Sequence, residues 1–542
     1  MGFAGLTPRH VCVALAGITL LVFSPTLWAE FVYDARIQIL TDPFLHDPAN
    51  WFDVLTFRVL ARDVLDFNRP VHLASLMLDA AAWGKDPFGY HLTSVLLHAL
   101  NVILVWSLIG RVLAERGGPA AGGGLAAGGG LLGHRDLVAI LVALLFAVHP
   151  LVTEAVCEPT FREDVLAATF TLAALLFVLS AQPSTSGWRS AACALGCLLA
   201  VASKESGIAA PFVVAAAWWL FRRGEPRGFW VAASAGGAAA AAAFLATRFL
   251  LETSPSVIFE SQPVYPGGSF ATALVILPRI LALYVQLILL PINQCADYGL
   301  FSVRHLPLPV ALVVVLTTAG LLGRAAWRDR RIGLGIALLV LPLVPVANLI
   351  PIYRAAADRY LYLPLAGAAC IAACLLDSAW IRARERRRHM ALLITTAAAV
   401  TLAAACLERQ RIWSRPLALW EDTARRNPAS LTAVHGLASA LREAGRLQEA
   451  ERAAREAIRL SNDQRGDALL TLAFVLDDQG RAVDAAAALA RALELDSRLA
   501  DPEARVAALA MERPEADRLT DLLRRHAAPA ESGTIVPDSE SP

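Results

Sequence analysis

Charged and polar side chains recur in this sequence at the ends of long apolar segments. Asp34 follows the first such segment, and Lys204 and Glu205 lie between two others. The further candidates that share this placement are Arg69, His91, His149, Glu154, Arg162, Asp164, Arg359 and Tyr362. A carboxylate can deprotonate a hydroxyl group, and arginine, lysine or histidine can stabilise a departing phosphate. The set therefore indicates group transfer from an anionic, lipid-linked substrate at a membrane surface.

Each of these residues alone is explained as well by an interfacial charge or a turn, since charged side chains at helix ends often reach the membrane interface. The functional interpretation depends on their falling together on one predicted face of the membrane. Metal dependence stays open at this point. His149, Glu154 and Asp164 have suitable side chains but lack a standard ligand spacing, so we assign no metal site.

The composition is that of a membrane protein. Of the 542 residues, 56% are hydrophobic and 18% are charged, whereas soluble proteins carry about 25% charged residues. This balance excludes a soluble enzyme and long disordered stretches. The net charge of +1 gives no reason to expect nucleic acid as a partner. The eight cysteines form no disulfide or zinc pattern, and we expect them to pack as small apolar residues.

Eleven apolar stretches qualify, some marginally, as membrane helices of about 20 residues. They lie near 10–29, 91–113, 136–149, 165–181, 189–203, 207–221, 229–250, 307–323, 332–350, 361–379 and 390–407. Three basic loops, at 222–227, 324–331 and 382–388, are expected to face the cytoplasm. Even numbers of crossings must then separate them, so we interpret the additional stretch 272–291 as re-entrant or interfacial. Eleven crossings place the N-terminus inside and the C-terminal domain outside.

The first apolar stretch is expected to be an uncleaved anchor, because Leu27 is too large for position −3 of a cleavage site after Ala29. The polar loop 30–90 that follows is longer and more ordered-looking than a connector needs, which is typical of functional loops. Residues 117–130 are a Gly/Ala linker without the Gly-Lys-Ser/Thr of a phosphate loop.

A repeat follows the last apolar stretch. Leu437-Ala438, Leu441, Gly445, Ala450, Ala457 and Leu460 recur 35 residues later as Leu472-Ala473, Leu476, Gly480, Ala485, Ala492 and Leu495. The spacing is close to the roughly 34 residues of tetratricopeptide repeats, which bind peptides or partner proteins. A helix with Trp413 and Trp420 is expected to bury the first face of this stack. We predict an all-α protein with a membrane domain over 1–408, repeats over 409–525 and a disordered tail over 526–542.

Several short motifs span the membrane region in order. They are Tyr33-Asp34, Arg69-Pro70, Asp86-Pro87-x-Gly-Tyr-His91, His149-Pro150-x-x-x-Glu154, Arg162-x-Asp164, Ser203-Lys204-Glu205-x-Gly207-Ile208, Asn348 and Arg359-x-x-Tyr362-Leu-Pro364. With the repeats that follow, the chain resembles the transmembrane-and-tetratricopeptide-repeat O-mannosyltransferase family. This family is part of the GT-C class of glycosyltransferases, which use polyprenyl-phosphate sugars. Each motif is short, and the combination is what is specific.

The resemblance implies a GT-C-like fold with Asp34 as the first-loop acidic residue near the catalytic centre. The family usually has two acidic residues in tandem there, whereas this chain has Asp34-Ala35, so Asp42 and Asp47 are alternative carboxylates. Glu158 and Glu163 stand where relatives often carry an aromatic residue and a lysine.

We predict direct displacement at the anomeric carbon, with Asp34 as the base. The candidates for binding the donor phosphate are Arg69, Arg162, Lys204 and Arg359. The candidates for positioning substrate are His91, His149, Glu154, Asp164, Glu205 and Tyr362. Because the phosphate leaves as a stable anion, the reaction requires no nucleotide site or other cofactor.

The expected partners are a polyprenyl-phosphate sugar, membrane lipid and a hydroxyl acceptor, such as Ser or Thr of a protein held by the repeats. Mannose is one candidate sugar. The composition suggests a bacterial inner membrane, with the repeats in the periplasm.

Two alternatives are a non-catalytic scaffold of an envelope complex and a transporter. The transporter ranks lower because transport paths place charges near the membrane midplane.

Overall fold

The computed structural model describes residues 7–62, 64–115, 133–180, 187–222, 227–251, 265–299, 305–501 and 513–527. The Gly/Ala linker 117–130 and residues 528–542 of the predicted tail lie outside the described residues. Within the described residues all regular structure is helical, which confirms the all-α prediction. The chain divides into two compact units, Met1–Ala35 with Pro43–Ser430, and Arg36–Asp42 with Leu431–Pro542.

The first unit contains helices of very different length. In chain order they are α1 Pro8–Val22, α2 Tyr33–Leu40 (which continues into the second unit), α3 Trp51–Leu55, α4 Pro70–Trp83, α5 Pro87–Ala114, α6 His134–Ala147, α7 Thr153–Cys157, α8 Arg162–Leu179, α9 Gly187–Ser203, α10 Ala209–Phe221, α11 Arg227–Leu251, α12 Phe270–Leu289, α13 Leu308–Arg328, α14 Arg330–Val340, α15 Tyr362–Arg382, α16 Glu385–Ile412 and α17 Pro416–Arg426.

Six helices among the described residues are long and apolar enough to cross a membrane. They are α5, α12, α13, α16, Gly228–Thr247 of α11, and Asp358–Arg382, which includes α15. A seventh candidate is α6 with Pro150–Cys157, two segments bent by 49°. The shorter apolar helices include α1, α9 and α10. Only 6% of the apolar windows of α13 and α16 is buried in the protein, which is typical of helices that face lipid.

Two of the expected membrane segments differ in the structure. The stretch 332–350 is not one helix, because α14 ends at Val340 and Pro342 and Pro345 do not allow it to continue. The stretch 272–291, expected to be re-entrant or interfacial, forms the continuous helix α12 through Pro278. A proline removes one helical hydrogen bond, which membrane helices tolerate. The continuous helix is not the shape of a re-entrant loop but is compatible with an interfacial helix, so the orientation of the chain stays a prediction.

Helices α5 and α8 form the centre of the first unit. In α8, 15 of the 18 residues are buried, and the helix packs against α5 and α9. The core around these helices consists of aliphatic and small residues. At one end of the bundle α5, α8, α10 and α15 begin and α1, α6 and α9 end. The candidate site lies at this end.

The second unit contains two similar helical hairpins and a terminal helix. Its helices are α18 Leu431–Glu443, α19 Leu447–Leu460, α20 Gly466–Asp478, α21 Ala482–Leu495 and α22 Arg513–Ala527. The bounds of α20 and α21 are those of α18 and α19 shifted by the 35 residues of the sequence repeat. Gly445 and Gly480 form the turns within the hairpins with φ of +73° and +76°, a conformation that favours glycine.

The division between the units lies between Ser430 and Leu431, so α17 packs with the first unit. Trp413 and Trp420 therefore belong to the first unit. Both rings pack against Tyr33, with ring centres 6.1 and 5.2 Å away. The aromatic residues after the last long helix thus build the region around the first loop.

Candidate functional site

Asp34 is presented by an unusual turn at the start of α2. The preceding residue, Tyr33, has a φ of +50°, which residues with a side chain seldom adopt. Its ring is nearly parallel to that of Trp420 and lies 5.5 Å from that of Phe161. Such packing stabilises a backbone conformation that would otherwise be costly, and strained residues of this kind cluster at functional sites.

Asp34 is exposed to solvent although protein atoms surround it on many sides. It therefore lies in a concave recess that is open to water. The surrounding protein raises the pKa of the Asp34 carboxyl, while the positive charges of Arg354 and Arg359 oppose the rise. Because water reaches the side chain, these effects are weaker than in a closed core. The direction brings the carboxyl nearer to the pKa that suits a general base at neutral pH.

Glu158 lies beneath the turn that carries Asp34. Its Oε1 accepts the backbone N–H of Ala35 at 3.0 Å and the hydroxyl of Thr160 at 2.7 Å. The side chain is fully buried, and burial raises the pKa of Glu158 well above its usual range. We therefore assign it the role of fixing the backbone next to Asp34 through the Ala35 N–H.

Arg354 lies on the other side of the same turn. Its Nη1 is 3.0 Å from Oδ1 of Asp297, and its guanidinium is 5.6 Å from the ring centre of Tyr33. Its side chain is 23% exposed. The residue has a protein partner, yet its side chain is not closed off from solvent, and its charge acts on the Asp34 carboxyl.

Arg359 is more deeply held. It pairs with Glu154, and its guanidinium lies 3.9 Å over the ring of Phe161. Glu154 also accepts the backbone N–H groups of Asp358, at 3.0 Å, and of Arg359, at 3.3 Å. The structure thus brings together the predicted residues Glu154 and Arg359 and gives Glu154 the role of orienting the arginine.

A second set of charges, which we name the Arg69–Lys204 cluster, connects the first loop with α8 and the α9–α10 turn. It consists of Asp66, Arg69, Glu163, Asp164, Lys204 and Glu205. Lys204 Nζ lies 2.9 Å from Glu163 and 2.5 Å from Asp164. Arg69 contacts Glu163 and lies 2.6 Å from Asp66 and 3.3 Å from Glu205. Four of these residues, Arg69, Asp164, Lys204 and Glu205, were predicted from the sequence.

The turn that carries Lys204 requires a glycine. A Cβ on Gly207 would lie 2.2 Å from backbone atoms of Ala200. The backbone segments at Gly207 and Ala200 therefore approach too closely for any residue other than glycine. This contact explains the spacing of the Ser-Lys-Glu-x-Gly motif. It also fixes Lys204, whose Nζ lies 5.1 Å over the ring of Tyr360.

The Arg69–Lys204 cluster borders the same recess as Asp34. The charges of Glu163 and Arg69 act on the Asp34 carboxyl after those of Arg354 and Arg359. Next to the cluster lies a narrow slot. Its lining residues are Asp164, Ala167, Ser206, Pro342, Val346, Tyr360, Leu363 and Pro364. The slot is mostly apolar, with polar side chains at Asp164, Ser206 and Tyr360.

Arg162 does not reach this recess, which corrects its expected role in phosphate binding. The side chain is fully buried, and its Nη2 lies 2.6 Å from Asp79. Its Nε donates to Ser94 at 3.0 Å, and the other donors bond to Ser75 and to the carbonyl of Tyr90. The guanidinium has no donor left for a ligand, so Arg162 joins α8 to α4 and α5.

Three further candidates also lie in the interior. His149 uses both ring nitrogens on backbone groups, and the hydroxyl of Tyr362 lies 2.7 Å from His98. His91 is buried, with its ring 6.2 Å from that of Phe31. We therefore replace their expected role in positioning substrate with a role in packing. The structure likewise does not join His149, Glu154 and Asp164 into one group.

Arg354 and Asp66 border the recess but were not among the predicted site residues. Arg354 follows the stretch 332–350, which was interpreted as a membrane helix that ends near there. The Pro-rich break at Pro342 and Pro345 was the available signal for a loop at this point. Asp66 lies in the loop 30–90, where nothing in the sequence distinguishes it from the other acidic residues.

The described fold is that of a multi-pass membrane protein with a charged, water-accessible recess at one end of its helical bundle.

No protein-family model matches the chain. Curated relatives do match. Protein O-mannosyl-transferase TMTC1 of Mus musculus is 30% identical over 180 residues, which cover 32% of this chain and 17% of the mouse protein.

A longer match is protein O-mannosyl-transferase F38B6.6 of Caenorhabditis elegans, 21% identical over 462 residues. It covers 82% of this chain and 62% of that protein. Tmtc3 of Drosophila melanogaster is 32% identical over 148 residues, 26% of this chain and 16% of that protein. The matched region spans less than a fifth of the length of the mouse protein. These relatives confirm the resemblance predicted from the short motifs.

Two solved structures are also similar in part. ArnT from Cupriavidus metallidurans in the apo state has a TM-score of 0.42 and 16% identity, covering 91% of this chain and 78% of ArnT. The same protein bound to undecaprenyl phosphate has a TM-score of 0.39 and 14% identity, covering 95% and 88%.

Proposed function

We propose that this protein is a membrane glycosyltransferase that moves a sugar from a polyprenyl phosphate to a hydroxyl acceptor. The observation that carries the proposal is the water-accessible carboxylate of Asp34 in one recess with the cations Arg354 and Arg359. Similarity to protein O-mannosyl-transferases supports it. Mannose is therefore the first sugar to test, and Ser or Thr of a protein is the first acceptor.

In the proposed reaction Asp34 accepts the proton of the acceptor hydroxyl as its oxygen attacks the anomeric carbon. The bond between that carbon and the phosphate oxygen breaks, and the electron pair leaves with the polyprenyl phosphate. Arg354, which is part-exposed, and Arg359, which Glu154 orients, stabilise the charge that develops on the phosphate. Holding base and cations in one recess also pre-orients the reacting groups.

The donor is proposed to approach the recess past the slot next to Asp164, which is narrow in this structure and would have to widen to admit a prenyl chain. The apolar lining of Ala167, Val346 and Leu363 suits a prenyl chain, and the polar end suits a phosphate. The first turns of α8 and α15 lie at this end of the bundle, and helix N-termini favour anions. Lys204 and Arg69 are proposed to act on the donor through the field of their cluster, since both are already paired.

The second unit is proposed to recruit the acceptor. Its two hairpins have the length and spacing of tetratricopeptide repeats, which bind extended peptides. We place the protein in a bacterial inner membrane with the N-terminus in the cytoplasm and the repeats in the periplasm. A reporter fusion after residue 408 tests this orientation, because it must be active only when the reporter requires the periplasm.

The test of the function compares Asp34→Asn with Asp47→Asn. Asp47 is a second first-loop carboxylate that caps a short turn through the N–H of Ala49, a role that asparagine retains. Purified full-length protein in nanodiscs is given polyprenyl-phosphate mannose, glucose or aminoarabinose and an acceptor peptide. Asp34→Asn is expected to lower turnover by about 10²- to 10⁴-fold, as loss of a general base does. Asp47→Asn is expected to behave as wild type.

Other outcomes separate the alternatives. Near-normal turnover of Asp34→Asn with a loss in Asp47→Asn moves the base to the other carboxylate. No transfer by wild type from any of the three donors, with the acceptor protein still bound, favours the non-catalytic scaffold. In that case the repeats keep their binding role and the recess loses its catalytic one.

A further inference from the structure

His72 is a buried imidazole without a hydrogen-bond partner. The residue is 0% exposed, and neither ring nitrogen forms a hydrogen bond within the part of the chain that the structure describes. Buried polar groups nearly always have a partner, so an imidazole of this kind requires an explanation. Its Nε2 points toward Asp66, 3.9 Å from Oδ2.

Two carboxylates converge on this ring. Asp66, His72 and Glu163 each offer a ligand atom, and these atoms lie within 4.8 Å of one another. Tetrahedral donors held by one ion at about 2.1 Å lie about 3.4 Å apart, so the group needs to contract by up to about 1.4 Å when an ion binds. The three residues come from the first loop, from α4 and from α8.

The charge of the surrounding cluster favours a cation. The Arg69–Lys204 cluster contains four carboxylates and two cations, so its formal charge is −2. Two of the carboxylates, Glu163 and Asp164, are buried, and buried charges are stabilised by pairing or by coordinating a metal. One divalent cation would balance the cluster.

We propose that Asp66, His72 and Glu163 form a binding site for a divalent transition metal of the Mn²⁺ or Zn²⁺ type. One imidazole with two carboxylates suits these ions, whereas Ca²⁺ and Mg²⁺ prefer oxygen ligands alone. Three protein ligands leave coordination positions open to water or to an anion. The ion would tie the first loop to α8 beside the recess of Asp34.

Arg69 is compatible with the ion. It lies 2.6 Å from Oδ1 of Asp66, whereas Oδ2 is the oxygen that faces His72. Glu163 contacts Arg69 through one oxygen and Lys204 through the other, and each carboxylate oxygen has a further lone pair. The ion can therefore bind without breaking the existing pairs.

The site is tested by metal content, which does not depend on transferase activity. Full-length protein in detergent is stripped with a chelator, dialysed against Mn²⁺ or Zn²⁺, and analysed by mass spectrometry of the metal. Wild type is expected to retain one ion per chain. His72→Ala and Glu163→Gln are expected to weaken binding at least about 10-fold. Glu205→Gln, in the same cluster but outside the ligand group, is the matched control and is expected to retain the ion.

A second measurement covers the case that the buried variants do not fold. Added Mn²⁺ or Zn²⁺ is expected to raise the unfolding temperature of wild type, because an ion that binds only the folded chain stabilises it. No metal uptake by wild type overturns the proposal. So does equal uptake by folded His72→Ala. Either result leaves the proposed glycosyl transfer unaffected, since that reaction is assigned to Asp34.

Discussion

Two arginine–carboxylate sites lie near the same end of the helical bundle and differ in what they leave available. At the interior site Arg162 pairs with Asp79, and its remaining N–H groups donate hydrogen bonds to other protein groups. The Arg162 side chain is not exposed to solvent. At the recess Arg354 pairs with Asp297 but stays 23% exposed, and the nearby Asp34 is open to water. Both sites contain an arginine and a carboxylate, but the arginine is fully buried at the first site and partly exposed at the second.

The difference teaches which charges can act on a substrate. A buried guanidinium whose donors are all used holds helices together, and removing it leaves its carboxylate unpaired in the core. A part-exposed guanidinium contributes little to stability, because solvent screens its pair. It can therefore turn toward a ligand at small cost. The comparison predicts that mutations at the two sites will separate stability from activity.

The largest expected effect is at the interior site. Arg162→Met leaves Asp79 buried without its partner, which is expected to destabilise the protein by about 3–5 kcal/mol. Thermal unfolding in detergent, followed by the fraction of monodisperse protein, measures the change. The double variant Arg162→Met/Asp79→Leu is expected to recover part of the loss, because it removes the unpaired charge as well. A stable Arg162→Met that fails to bind the donor would contradict the structural role.

The matched change in the recess is Arg354→Met. Arg354 is part-exposed, and Asp297 is buried but keeps the hydroxyl of Ser430 as a partner, so the free energy of unfolding is expected to fall by less than in Arg162→Met. Turnover is expected to fall about 10²- to 10³-fold, as when one stabilising donor at a developing anion is lost. Turnover in nanodiscs and unfolding in detergent are measured on the same preparation. If stability falls and turnover per folded molecule does not, Arg354 is structural like Arg162.

Much of the fold could be predicted from the sequence because periodicity and length are local signals. The 35-residue repeat gives helices α18 to α21, and long apolar stretches give the candidate spans. Segment 332–350 was misassigned since its apolar composition masked two helix-breaking prolines. The number of crossings cannot be predicted with such segments, because helices of similar composition either cross or end within the membrane.

The site was predictable in part. Asp34, Lys204 and Arg359 could be identified because ionisable residues beside apolar segments are rare and costly. Arg162 met the same criterion, and the sequence contains no sign that Ser75, Ser94 and the Tyr90 carbonyl use its donors. Whether the N–H groups of an arginine are already used in hydrogen bonds depends on the tertiary contacts. The proximity of His72 to Asp66 and Glu163, which lie on two other segments, was hidden for the same reason.

A smaller effect is expected at Glu158, which separates the loss of a hydrogen bond from the loss of a charge. Burial raises the pKa of Glu158 and so disfavours its charged form, and glutamine keeps an oxygen acceptor for the Ala35 N–H, so Glu158→Gln is expected to be near wild type. Glu158→Ala leaves the Ala35 N–H without its acceptor, with an expected loss of about 1–3 kcal/mol. Unfolding in detergent measures both variants. Equal destabilisation by Gln and Ala would show that the negative charge matters.

The smallest expected effect is a shift of the pH profile. Asp34 acts as a base only when ionised, so kcat/KM must fall as the pH drops through its pKa. The surrounding protein raises that pKa, so the acid limb is expected above the value of about 3.9 for an ordinary aspartate. Arg354 and Arg359 lower the pKa of Asp34, Glu163 raises it and Arg69 lowers it. Removal of the Arg354 charge is therefore expected to move the limb to higher pH.

The residual turnover of Arg354→Met is sufficient for this measurement if kcat/KM is followed between pH 4 and 8. Arg388→Met, at the start of α16, is the control and is expected to leave the limb in place. A limb that stays fixed in Arg354→Met would mean that the titrating group is not Asp34. A limb that moves to lower pH would contradict the electrostatic contact itself, because loss of a positive charge cannot make a neighbouring carboxyl more acidic.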